Sequence, residues 1–156
     1  MVSLEQLPAD DARSRTLLTE YFGMRGETFP AGQTYRPTFP DAAAFTPPAG
    51  VFLVVTDDEE NDVGCGGIRR LADATHGARY EVKHLYLQPQ TRGRGWGHLL
   101  LTALEDQARE WGAAEMVLDT HHTLAAAGSL YTAHGYAPID AYNDNPNATV
   151  WLGKVL

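Results

Sequence analysis

Tyr80-Glu-Val-Lys-His-Leu-Tyr-Leu87, followed within three residues by Gln90-Thr-Arg-Gly-Arg-Gly-Trp-Gly-His98, is the stretch on which the reading of this chain turns. The first run is rich in Tyr, Val and Leu and reads as a strand. Beyond the second run, Leu100, Leu104, Ala108 and Trp111 recur at helical spacing. Gln90, Thr91, Arg92, Gly93, Arg94, Gly95, Trp96, Gly97 and His98 therefore join a strand to a helix. Glycines at alternate positions let the backbone approach a ligand, because no Cβ intervenes. The first turn of a helix presents unpaired N–H groups with partial positive charge. Arg92 and Arg94 add two cations, so the turn suits a multiply charged anion such as a pyrophosphate.

Two ligand classes fit that turn. A dinucleotide-binding unit wants Gly-x-Gly-x-x-Gly with an acid near the end of the next strand. Gly93 and Gly95 match and Asp119 ends the next strand, but His98 stands at the third glycine position. The spacing Gln90-x-x-Gly93-x-Gly95 instead resembles the acetyl-CoA signature of the GNAT acyltransferases. Tyr80–Leu87 resembles that family's pantetheine-binding strand, and Leu130-Tyr-Thr-Ala-His-Gly-Tyr136 resembles its late helix. The specific match runs from about residue 50 to the end; the first part of the chain adds little.

The resemblance implies a single α/β (α+β) domain over residues 1–156. Its central sheet would be mixed but mostly antiparallel, with about six or seven strands and about four flanking helices, splayed at the parallel central strands. It implies acetyl-CoA as co-substrate. Backbone groups of Leu85, Tyr86 and Leu87 would bind pantetheine, with the N–H of Leu87 polarising the thioester carbonyl. Residues 90–98 would hold the pyrophosphate. Tyr131 would be the general acid on the leaving thiolate; as an ordinary core residue it would make a structural hydrogen bond instead. Glu81 would be the base, directly or through water; its alternative is a surface ion pair with a lysine or arginine. Alternation points His84 to the opposite face from Glu81. His121 and His122 are candidate substrate contacts, and they lack metal-ligand spacing, so no metal is expected. Tyr136 occupies a position of aromatic packing.

Composition bounds the rest. A chain of 156 residues, 44% hydrophobic, suggests one domain with a sizeable core. One cysteine excludes an internal disulfide framework and fits a reducing cytoplasm. The start has neither a basic nor an apolar signal region, and no apolar run approaches the ~20 residues of a spanning helix. A net charge of −8 argues against nucleic acid as a partner. It is compatible with a cationic amine acceptor, though a solvated acidic surface explains it as well. A homodimer is compatible with all of this.

Along the chain, Val2–Leu7 reads as a strand, and Asp10 and Asp11 open a helix to about Met24. Residues 25–49 hold five prolines and several aromatics; only a turn near Asp41–Phe45 is expected there. In the family this region commonly borders the acceptor, while a covering loop is the equal alternative. Val51–Thr56 and Val63–Leu71 read as strands, the second entered through Gly64, Gly66 and Gly67, which suggest a bulge or close packing. Cys65 reads as a buried residue rather than a nucleophile. Met116–Thr120 is a strand parallel to Tyr80–Leu87, Thr123–His134 a helix, and Tyr136–Ile139 and Ala148–Val155 closing strands. Three functions follow: an N-acetyltransferase acting on a primary amine of a small molecule, a non-catalytic acyl-CoA sensor, and a dinucleotide-binding module.

Overall fold

A computed structural model describes residues 2–156. Seven strands form one sheet in the order β1-β2-β3-β4-β5-β7-β6. They are β1 (Ser3–Gln6), β2 (Gly50–Thr56), β3 (Asp62–Ala74), β4 (Gly77–Leu87), β5 (Glu115–Thr120), β6 (Ala137–Pro138) and β7 (Val150–Val155). The strand pairs are antiparallel except β4 with β5, which run parallel. Three α-helices are present among the described residues: α1 (Ala12–Thr28), α2 (Trp96–Glu110) and α3 (Ala125–Ala133). The expected fourth α-helix is absent among the described residues, and the turn expected near Asp41–Phe45 is a 3₁₀ helix, Ala42–Phe45, where prolines at 37, 40, 47 and 48 leave no room for a longer one.

Local chemistry sets these bounds. The Asp11 carboxylate accepts from the Arg13 N–H at 2.9 Å and caps α1. That helix continues past Met24 to Thr28, just short of Pro30. The β3–β4 hairpin extends through the polar stretch around Asp73, since pairing from Leu71↔Arg79 to Ala74↔Gly77 overrides its composition. Glycines in the left-handed region stop both later helices, Gly112 at φ 82° after α2 and Gly135 at φ 88° after α3.

Two apolar layers sandwich the sheet. On one face, α2 lays Leu100, Leu101, Leu104 and Ala108, all fully buried, against Val51, Ile68, Val82 and Met116. Each large side chain so buried contributes roughly 2 kcal/mol. On the other, α1 packs Leu17, Leu18 and Phe22 against Phe52, Val54, Cys65 and Tyr86. The β3 glycines serve close packing: a Cβ at Gly66 would meet Leu100 of α2 at 3.3 Å, and one at Gly67 would meet Phe45 at 2.8 Å.

They also face a bulge. Cys65 pairs with Tyr86, but Gly67 pairs with Lys83, so two β4 residues, His84 and Leu85, oppose Gly66 alone. His84 takes φ 58° there. The extra residue resets alternation. His84 packs against Phe22 and Phe45, on the face that carries Glu81, and not on the opposite face as simple alternation requires.

Candidate active site

The parallel ladder is short. It joins Arg79↔Glu115, Tyr80↔Met116 and Glu81↔Val117 and then ends, while β4 runs on to Leu87 beside β3. The sheet therefore forks after Glu81. Gln88 N–H donates to Val63 O at 2.9 Å. Alternation in an antiparallel ladder then turns the polar groups of Leu87 the other way, toward the fork, where β5 no longer follows. One side-chain pair spans the gap: Lys83 Nζ donates to Asp119 Oδ1 at 3.0 Å, continuing the backbone register in side chains.

The fork leads into the glycine-rich turn. Gly93 and Gly95 have φ of 82° and 79°, and a Cβ at either would meet nothing within 4 Å. Both conformations favour glycine, and the space above them is open. Gly95 caps α2 without any side-chain bond, so the N–H groups of the first turn face out with Arg92 and Arg94 exposed beside them. Arg94 lies 5.2 Å over the ring of Trp96. Gly97 serves packing instead: a Cβ there would stand 3.3 Å from Leu87 and 3.2 Å from Leu130, so this glycine brings helix, strand and α3 together. His98 Nδ1 lies 2.7 Å from Nε2 of His134. Gln90 Nε2 donates to Gln88 Oε1 at 2.7 Å. An acyl-CoA, whose pyrophosphate and pantetheine need donors and a free strand edge, fits these residues.

On the α1 side the fork opens into a cleft of about 720 Å³. Its floor is Val82, Lys83, His84 and Leu85, with Asp119 and Thr120 across the fork and Tyr131 on α3. The proline-rich segment from Tyr35 to Asp41 forms a wall. Tyr131 is 6% exposed and packs edge-on to Tyr136, and burial raises its hydroxyl pKa, so the group holds its proton. Tyr136 is tied off: its hydroxyl donates to Glu105 Oε2 at 2.8 Å in a cluster with Lys154.

Glu81 is fully buried and does not line the cleft. Arg69 Nε donates to its Oε1 at 2.8 Å, Tyr142 Oη donates to Oε2 at 2.6 Å, and Lys83 Nζ lies 3.6 Å from Oε2. The ion pair that stood as the alternative to a base is present, with the Glu81 carboxylate inside and the Arg69 side chain half-exposed. Burial pushes the His84 imidazole down to about 3, with Lys83 and Arg69 adding to the effect, so it is neutral at ordinary pH. Burial alone would raise Asp119, but Lys83 and Asn143 hold its carboxyl below the usual value. His121 is 2% exposed, accepts or donates with Thr123 Oγ1 at 2.7 Å and stacks on His122, which bonds Thr149. Neither histidine lines the cleft. Cys65 is buried with its thiol raised by burial, and Sγ points at the His84 carbonyl. Among the described residues no set of three potential ligands could hold a metal ion.

Of Lys83, Asp119, Asn143, Arg69 and Arg25, sequence reasoning weighed only Asp119, and that as the acid of a dinucleotide-binding unit. A signal existed for the first two, which sit at equivalent places near the carboxyl ends of adjacent parallel strands. Arg25 had none, since its role depends on a loop more than a hundred residues away.

The model of the GNAT acetyltransferase family matches residues 14–136. An uncharacterised N-acetyltransferase of Schizosaccharomyces pombe is 29% identical over 149 residues, 93% of this chain and 87% of that protein. An IAA acetyltransferase of Azospirillum brasilense is 38% identical over 87 residues, 54% of this chain and 55% of that one. A solved structure assigned as an acyl-CoA N-acyltransferase of Klebsiella pneumoniae is 29% identical, with a TM-score of 0.78 over 100% of this chain and 98% of its own.

Proposed function

We propose that this chain, which belongs to the GNAT acetyltransferase family, moves the acetyl group of acetyl-CoA directly to a primary amine of a small molecule in a ternary complex. The observation that carries this reading is the fork: β4 loses β5 after Glu81, runs directly into the open glycine turn, and faces Tyr131 across one cleft. Acetyl-CoA supplies the activated thioester; the new C–N bond forms as the C–S bond breaks, and the thiolate takes a proton.

The chain's own groups divide that work. Residues 90–98 bind the pyrophosphate through first-turn N–H groups and Arg92 and Arg94. The edge at Leu85, Tyr86 and Leu87 holds pantetheine, and the Leu87 N–H donates to the thioester oxygen. The Tyr131 hydroxyl, kept protonated by burial, delivers the proton to sulfur. Glu81 assists proton removal at one remove: its carboxylate orients Lys83 and Tyr142 rather than touching the amine, whose proton leaves through water in the open cleft. Holding amine and thioester together supplies much of the acceleration. The upstream strands are antiparallel, which removes the repeating β-α units of a dinucleotide module. We place the domain, residues 1–156, in the cytoplasm; among the described residues no helix is long and apolar enough to cross a membrane.

A screen of primary amines for coenzyme A release tests the reading. Steady, amine-dependent thiol release is expected with at least one small amine. Tight acetyl-CoA binding with no release from any amine would instead leave an acyl-CoA sensor.

A further inference from the structure

Arg25 is a cleft residue that acetyl transfer leaves without a task. It lies in the last turn of α1, is 7% exposed, and lines the cavity. Its Nη1 donates to Tyr21 Oη at 3.3 Å and its Nη2 to the Asn147 carbonyl at 3.0 Å. The guanidinium rests 4.9 Å over the Tyr35 ring. None of these partners carries charge, and Arg25 joins no ion pair among the described residues. Buried charges are normally paired, because desolvating one without a counter-charge is costly. The two acids in the cleft lining are already committed. Asp41 caps the 3₁₀ turn through the Ala43 N–H, and Asp119 holds Lys83 and Asn143.

The surroundings define what would complete the charge. Tyr21, Phe22, Tyr35 and Phe39 make the wall beside Arg25 apolar and aromatic. Arg36 stands next to it, its N–H donating to Asn147 Oδ1 at 3.1 Å. The lining holds Arg25, Arg36, Arg69 and Lys83 against Asp41 and Asp119, so the cavity leans basic although the chain as a whole carries −8.

We propose that the acceptor is a small amino acid, a primary amine with a carboxylate on an apolar body. Arg25 receives the carboxylate, the aromatic wall takes the body, and the amine is left to face the fork below Tyr131. This rests on the acetyl-transfer reading for its amine and on Arg25 alone for its acid. The acidity of the chain as a whole does not extend to the charged residues that line the cleft.

The test measures binding first. The full chain is titrated calorimetrically with three carboxylates, propionate, 4-methylpentanoate and 3-phenylpropionate, each against its own primary amide. A charge-assisted hydrogen bond in place of a neutral one predicts an acid-over-amide preference on the order of 10-fold or more for at least one pair, weakening with salt. Arg25→Gln brings that ratio to near one, and Arg25→Lys keeps part of it. The matching amino acids are then tried as acceptors with acetyl-CoA. Acid preference without thiol release from any of these amino acids would leave a carboxylate site but overturn the amino acid as acceptor, while the wider amine screen decides acetyl transfer separately. Acids and amides binding alike in all three pairs overturns the proposal. So does an Arg25→Gln protein that keeps the wild-type ratio, since Arg25 would then only tie α1 to Asn147. Should Arg25→Gln fail to fold, the wild-type ratio and Arg25→Lys still decide.

Discussion

Gly77–Glu81 and Val82–Leu87 are halves of one strand, and they differ in what lies on their second side. The first half has β3 on one edge and, over Arg79–Glu81, β5 on the other, and its buried carboxylate, Glu81, is held by Arg69, Tyr142 and Lys83. The second half keeps β3 but has lost β5, carries a bulge at His84, and leads into glycines with positive φ. The difference teaches where binding capacity comes from. A backbone group already in a ladder is spent; one left beside a gap is free to hold a ligand. The predictions below act on one half or the other.

The largest effect is expected at the turn that ends the open half. Gly93→Val or Gly95→Val forces a β-branched residue into a left-handed conformation, at a local cost of about 1–3 kcal/mol. Acetyl-CoA binding by calorimetry should fall below detection while the far-ultraviolet spectrum stays native. Unchanged affinity in either variant would remove the turn from the site.

Next comes Tyr131, which lines the cleft beside the open half. Tyr131→Phe should lower kcat about 10²-fold, the low end for a general acid because a thiolate leaves readily. The acetyl-CoA Kd should barely move. Wild-type turnover at every pH would make the hydroxyl structural.

Glu81→Gln acts on the paired half and should read chiefly as stability. It replaces the buried carboxylate that Arg69 and Lys83 share by a neutral amide, costing about 1–3 kcal/mol in denaturant unfolding. Its kcat/KM should drop less than that of Tyr131→Phe, most at low pH where fewer amine molecules are neutral. A pH–rate profile below that of Tyr131→Phe would restore Glu81 as the direct base.

The smallest effect is a slope. His84 has a folded pKa of about 3 against 6.5 unfolded, so the unfolded chain binds the extra proton first. Its contribution is fully present above pH 6.5 and is lost as pH falls toward 3, by up to about 1.4 kcal/mol per pH unit. His84→Leu should flatten the wild-type loss of stability in that window; parallel slopes would place His84 in contact with solvent.

Much of this architecture was legible because it rests on local chemistry. Asp11 as cap, Gly112 and Gly135 as stops, and the strand–glycine–helix order all follow from near neighbours. The bulge was half legible: the β3 glycines hinted at one, but nothing in Lys83-His84-Leu85 says which residue is extra, and so His84 was set on the wrong face. Glu81 was singled out as a strand carboxylate, yet its burial depends on Arg69 across one strand pair and Tyr142 in a distant loop. Arg25 was invisible for the same reason, since Asn147 and Tyr35 reach it only once the chain has folded.

The central claim is that β4 binds ligand with its second half and not its first. Residue-resolved amide hydrogen exchange, with and without saturating acetyl-CoA, measures this directly. The account predicts slowed exchange at Leu87 and at Trp96, Gly97 and His98, with Arg79–Glu81 unchanged because that part is already paired on both sides. Equal slowing along the whole of β4, or no slowing at Leu87 with the ligand fully bound, would contradict it.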